Sequence, residues 1–115
     1  MQSMRRATNA YAASAAHRSA RAQDADVFRR ANAAMREGSA ASQIGRARAL
    51  ADNLRLWRTV IDLMRDPENP LPAPLKAGIV SVGLTVQREM QQPVPNFEFL
   101  IAVNENIAEG LSGQS

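Results

Sequence analysis

The stretch ARALADNLRLWRTVIDLM, residues 47–64, has the clearest periodicity in the chain. Its apolar side chains recur at alternating steps of three and four residues, which places them on one face of an α-helix. A continuous stripe of this kind is typical of a helix that packs against others in a bundle. The sequence therefore predicts a core-forming helix over residues 39–66. Its stripe consists of Ala47, Leu50, Leu54, Trp57, Ile61 and Met64, and is widened on one side by Leu56, Val60 and Leu63.

A proline-rich stretch, DPENPLPAP at residues 66–74, follows this helix. Proline has no amide donor and clashes with the preceding helical turn, so the helix must end here. We predict a turn over residues 67–74, in which Leu71-Pro72 sets the geometry between two helices.

Two further helices are predicted after the turn. The segment 73–91 has apolar residues on two faces, which indicates a central helix, and we expect a neighbouring backbone to approach its Gly78 and Gly83 closely. The helix of residues 96–111 begins with Asn96 as its cap. Its stripe includes one amide and consists of Phe97, Leu100, Ile101, Asn104, Ile107 and Leu111.

Alanine and arginine dominate residues 1–38, which we predict to form two more helices. The first, near residues 3–20, has only a thin apolar stripe and is expected to be loosely anchored. The second follows Asp24-Ala25-Asp26, whose acids suit a helix N-terminus, and ends at Gly38. Its apolar residues are Val27, Phe28, Ala31, Ala34 and Met35. The sequence as a whole predicts one all-α domain, residues 1–115, built as a bundle of four to five helices.

The composition excludes several function classes. The 115 residues contain no cysteine, so disulfides and thiolate chemistry are excluded, and a reducing compartment fits. No apolar run approaches the roughly 20 residues of a membrane span. The N-terminal residues are too polar for the core of a signal peptide. We therefore expect a soluble, cytoplasmic protein without membrane insertion.

The net charge of +3 is unevenly distributed. Residues 1–50 contain nine arginines against three acids, whereas residues 51–115 carry a net charge of −3. A basic helical face can bind RNA phosphates or an acidic partner. Our preferred interpretation of the basic half is a solvated surface. The thirteen arginines against one lysine are also consistent with a biased genome composition. The candidate contacts are Arg5, Arg6, Arg29 and Arg30.

Catalytic chemistry finds little support in the sequence. The single histidine, His17, lies beside Arg18 with no carboxylate close in sequence to orient it, so we interpret it as a solvated side chain. Ligands for a metal site and a glycine-rich phosphate loop are both lacking. We expect no catalytic residues, no metal and no cofactor. A third possibility is a groove between helices that accepts an amphipathic helix of a partner.

Several ordered pieces of the sequence resemble the FlaF family of alphaproteobacterial flagellar regulators. The resemblance covers nearly the whole chain, from an early Ala-Tyr at Tyr11 to a closing Gly-Leu. Its other pieces are LADNLRLW at residues 50–57, Asp62-Leu63, NPLP at 69–72, LKAGIVSV at 75–82 and LIAVN at 100–104. The resemblance implies a small non-enzymatic factor that binds flagellin as a chaperone-like partner and supports its production and assembly. It also implies a link to an FlbT-like regulator.

Five residues are candidates for partner contact. Trp57 lies on the helical stripe, so core packing is our first interpretation and a binding hot spot the second. Asn53 and Asn104 lie among apolar residues, which favours a hydrogen bond between helices over contact with a partner backbone. Tyr11, with a polar tip on the loosest helix, suits partner contact. Leu56, beside the stripe, completes the set.

Overall fold

In the computed structural model, residues 23–38 and 42–111 are described. This part of the chain contains four helices, α1 (residues 23–38), α2 (Gln43–Arg65), α3 (Ala73–Met90) and α4 (Phe97–Leu111), and no strand. The all-α fold class is therefore confirmed. The predicted helix near residues 3–20 and its loose anchoring lie outside the described residues. None of the described helices combines the length and hydrophobicity that crossing a membrane requires.

Helices α1 and α2 run antiparallel. The end of α1 meets the start of α2 at Gly38, where an added Cβ would lie 2.7 Å from the carbonyl oxygen of Gly45. Toward the other end of α1, the ring of Phe28 packs edge-on against Trp57, with 5.7 Å between ring centroids and 65° between ring planes. Gly38 is itself helical, so its missing side chain permits the close approach of two helix backbones.

The connection from α2 to α3 is organised by Asn69. Its side-chain amide donates to the carbonyl oxygen of Leu63 at 2.9 Å, and its Oδ1 accepts from the backbone amide of Leu71 at 3.0 Å. The ammonium of Lys76 donates to the backbone carbonyl oxygen of Asn69 at 3.0 Å. These bonds connect the end of α2 to the first turn of α3, which begins after Pro72.

Helix α3 lies against α2 along a glycine contact. A Cβ on Gly83 would lie 2.8 Å from Cγ1 of Ile61 and 3.0 Å from Cε3 of Trp57, so the predicted close approach occurs, although to side chains. For Gly78 the prediction is wrong as far as the described residues are concerned, because none of their atoms lies within 4 Å of an added Cβ.

The described elements do not give α3 the central position predicted for residues 73–91. Only Gly83 and Val86 are buried in this helix. On its second apolar face, Val80 is half-buried and Leu84 is exposed. Helix α2, by contrast, contacts all three other described helices, α1, α3 and α4.

Helix α4 begins as predicted. The Oδ1 of Asn96 accepts from the backbone amide of Phe99 at 3.1 Å, which confirms the asparagine cap. The first residue of α4, Phe97, is buried, and the guanidinium carbon of Arg46 lies 4.4 Å from its ring centroid. This cation–π contact joins the beginnings of α2 and α4.

The buried face of α2 is displaced from the predicted stripe. Its buried residues are spaced four apart and are Ala49, Asn53, Trp57 and Ile61. A stripe drawn only through apolar residues passes beside Asn53, yet this asparagine is fully buried. The core of the bundle is thus built around a polar side chain.

Candidate functional site

Three fully buried side chains form a hydrogen-bonded network between α2 and α4. The indole Nε1 of Trp57 donates to Oδ1 of Asn104 at 2.8 Å. The amide Nδ2 of Asn104 donates in turn to Oδ1 of Asn53 at 2.7 Å. In a low-dielectric interior such bonds are strong, and each removed partner leaves another polar group unsatisfied.

The network extends weakly to α3. The Nδ2 of Asn53 lies 3.5 Å from Sδ of Met90, and a thioether is a weak acceptor. The series of contacts therefore links three helices through the middle of the bundle. The hydrogen bond between Asn53 and Asn104 joins two helices, as our first interpretation of these residues predicts. Trp57 is fully buried, which confirms the prediction that it packs in the core. Direct partner contact by any of the three would require the helices to separate.

Asn32 is a further buried amide, which sequence reasoning missed. Its Nδ2 donates to the backbone carbonyl oxygen of Ile101 at 3.0 Å and so joins α1 to α4. Its Oδ1 has no hydrogen-bond partner in the described part of the chain. The signal was present in the sequence, since Ala25, Phe28, Asn32 and Met35 recur at helical spacing and are all buried. A stripe that allows one amide among its apolar residues, as the stripe of α4 does at Asn104, includes Asn32.

An open apolar groove runs between α1 and α2. We call it the α1–α2 groove; its volume is about 210 Å³, and it is lined by Val27, Arg30, Ala31, Ala34, Asp52 and Leu56. Val27 is 43% exposed, and Leu56 is half-buried. The groove brings together two residues that were predicted for different roles: Leu56, a partner-contact candidate, and Arg30, a candidate for phosphate or acidic groups.

A second groove of similar size lies between α2 and α3. This α2–α3 groove has a volume of about 230 Å³. Most of its lining is charged or polar, and it consists of Arg58, Ile61, Asp62, Arg65, Leu84 and Gln87. The two grooves therefore share size and the presence of an arginine and an aspartate, but they differ in the polarity of their walls.

The arginines of α1 are exposed, and two of them face acids. Arg36 bonds Oε1 of Glu105 at 2.7 Å, which ties α1 to α4, and Arg29 lies 3.5 Å from Asp26. Such exposed pairs contribute little to stability. The other candidates of the basic half, Arg5 and Arg6, lie outside the described residues, as does Tyr11.

The two grooves are the candidate binding surfaces among the described residues. No three side chains of His, Cys, Asp or Glu within them converge to hold a metal ion. The buried amides are satisfied mainly by each other and by backbone, so they position helices. Of the two grooves between the described helices, the α1–α2 groove has the more apolar walls, with two charged residues beside them.

Comparison with known proteins identifies the family. No curated protein and no solved structure matches the chain significantly. The family model described as flagellar protein FlaF matches residues 7–111, which include all four described helices, the buried amide network and the α1–α2 groove. Because the match extends over nearly the whole sequence, the chain belongs to the FlaF family of flagellar proteins.

Proposed function

We propose that the chain is a non-enzymatic cytoplasmic factor that binds flagellin and supports its synthesis, secretion and assembly into filaments. Membership of a flagellar protein family restricts the function to the flagellum. The observation that carries the proposal further is the open, mainly apolar α1–α2 groove on a small helical bundle. Grooves of this kind accept amphipathic helices of other proteins.

The chemistry of flagellin fits such a surface. Before it is assembled, flagellin has terminal helices whose apolar faces lack their filament neighbours, and exposed apolar faces promote aggregation. A helical bundle with a free groove covers one of these faces and releases it at the export apparatus. An FlbT-like regulator is a further partner that the family resemblance implies, and its contact with the chain belongs to the same proposal.

Size-exclusion chromatography of the full chain mixed with purified flagellin tests the proposal. We expect co-elution at micromolar concentrations, and we expect an unrelated helical protein of similar size to elute separately from flagellin. Elution of the chain and flagellin as separate species at these concentrations would overturn the proposed function.

The alternative function is RNA binding by the basic half of the chain. Arg29 and Arg30 are exposed on α1, and this exposure of two basic side chains is the observation that supports the alternative. Binding of this type would weaken steeply with added salt and on replacement of Arg5, Arg6, Arg29 and Arg30 by alanine. A flat response of flagellin messenger binding to salt would remove it.

A further inference from the structure

We propose that the α1–α2 groove is the docking site for one amphipathic α-helix of the partner, with an acidic residue on its α1 side and a basic residue on its α2 side. The inference rests on the proposed function, under which this helix belongs to flagellin. It adds the surface, the shape of the bound segment and its charge pattern.

The shape of the groove suits a helix. Its two walls are antiparallel helices, so the depression between them is linear, and a third helix packs well along such a path. Ala31 and Ala34 contribute small side chains on the α1 side, which allow a close approach of the bound helix. Val27 and Leu56 supply larger apolar contacts from opposite walls.

The charges at the groove suit a helix with opposite charges on its two sides. Arg30 belongs to α1, and it makes no hydrogen bond or ion pair with the described residues. Asp52 belongs to α2, and its ion pair within the described residues is a long, exposed contact of 3.6 Å with Arg55. A bound helix that offers a carboxylate to Arg30 and an ammonium or guanidinium to Asp52 meets both charges in one orientation. Complementary charges of this kind fix the register and exclude wrong partners more than they add affinity.

The α2–α3 groove does not suit the apolar face of a helix, because most of its lining is charged or polar. Around Leu84 it presents Arg58, Asp62, Arg65 and Gln87, which the apolar face of a helix would have to desolvate. Because the α2–α3 groove has a similar volume and a different lining, it serves as an internal control. Arg58 in this groove and Val82 on α3 serve as the control positions for Arg30 and Val27.

A matched pair of valine substitutions tests the site. Val27 is 43% exposed on α1 and Val82 is 36% exposed on α3, so Val27→Glu and Val82→Glu introduce the same change at similar exposure. We expect Val27→Glu to weaken flagellin binding by about tenfold or more, because the carboxylate places a charge in the apolar contact and competes with the bound helix for Arg30. We expect Val82→Glu to change it by less than about twofold. The measurement is fluorescence anisotropy of labelled flagellin, and circular dichroism verifies that both variants keep the wild-type helix content.

Charge reversal tests the orientation. Arg30→Glu should weaken binding by about tenfold, because the new carboxylate at the edge of the groove repels the acidic side of the bound helix. Arg58→Glu in the α2–α3 groove should leave the affinity within about twofold of the wild-type value. Equal effects of the two reversals would contradict the docking site and leave flagellin binding itself intact.

Photo-crosslinking identifies the occupant. With benzoylphenylalanine at position 27 of the full chain, we expect a crosslink to a helical peptide of flagellin, and none from position 82. A crosslink from position 27 to residues 1–22 of the same chain or to a second copy would overturn the inference, as would flagellin crosslinks from position 82 alone. If wild-type chain and flagellin do not bind at all, the proposed function and this inference both fail; if they bind but Val27→Glu has no effect, only this inference fails.

Discussion

Replacing Asn104 with alanine should destabilise the protein strongly. This side chain accepts from Nε1 of Trp57 at 2.8 Å and donates to Oδ1 of Asn53 at 2.7 Å, and all three residues are fully buried. Alanine leaves one buried donor and one buried acceptor without partners. Each such group costs about 1–3 kcal/mol, so we expect the free energy of unfolding to fall by about 3 kcal/mol or more. A small domain has only about 5–15 kcal/mol in total.

A second variant separates hydrogen bonding from packing. Asn104→Leu fills the space that alanine leaves empty, yet it leaves the same donor and acceptor unsatisfied. We therefore expect its loss to stay within about 1 kcal/mol of that of Asn104→Ala. The matched control is Asn106→Ala, an exposed position on the same helix, where the change should lie within about 0.5 kcal/mol.

Urea denaturation of the full-length chain measures these differences. Trp57 is the sole tryptophan and is itself part of the network, so its fluorescence reports directly on loss of the buried environment. A loss below about 1 kcal/mol for Asn104→Ala, or wild-type stability for Asn104→Leu, would refute the conclusion that hydrogen bonds of this network hold α2 and α4 together.

Three further predictions use the same denaturation assay. Gly83→Ala should lower the free energy of unfolding by about 1–3 kcal/mol because the added Cβ would overlap the side chains of Ile61 and Trp57. Gly78→Ala should raise it by up to about 1 kcal/mol, because no described residue lies within 4 Å of the added Cβ. The opposite order would contradict the packing of α3 on α2. Asn69→Ala removes two linker hydrogen bonds and should cost about 1–2 kcal/mol; an unchanged midpoint would show that the prolines alone fix the turn. Arg46→Ala loses the cation–π contact and should cost about 0.5–1 kcal/mol more than Arg48→Ala on the exposed face; equal values would argue against it.

Helix number and type in the described part of the chain were predictable because each helix has a regular apolar stripe between strong breaking signals. The prolines of residues 66–74 and the Asn96 cap acted locally, so sequence spacing was sufficient. The buried face of α2 was harder to predict. Its centre includes Asn53, and an apolar stripe places the face one step to the side.

The remaining misses depend on which elements become neighbours. Gly78 and Gly83 look equivalent in sequence, and only the packing of α3 on α2 gives one of them a close contact. In the same way, the position of the groove that we propose as a docking site, between α1 and α2, follows from the arrangement of whole helices. Arg30 and Leu56 are 26 positions apart, and no local pattern indicates that they line one surface.

We propose that this FlaF-family chain binds flagellin protein and does not act on its messenger RNA. Parallel anisotropy titrations of the wild-type chain into labelled flagellin and into labelled flagellin messenger test it most directly. We predict saturable flagellin binding with a Kd of about 1 µM or below, and no saturable RNA binding in the same range. Salt-sensitive RNA binding without flagellin binding would contradict the claim.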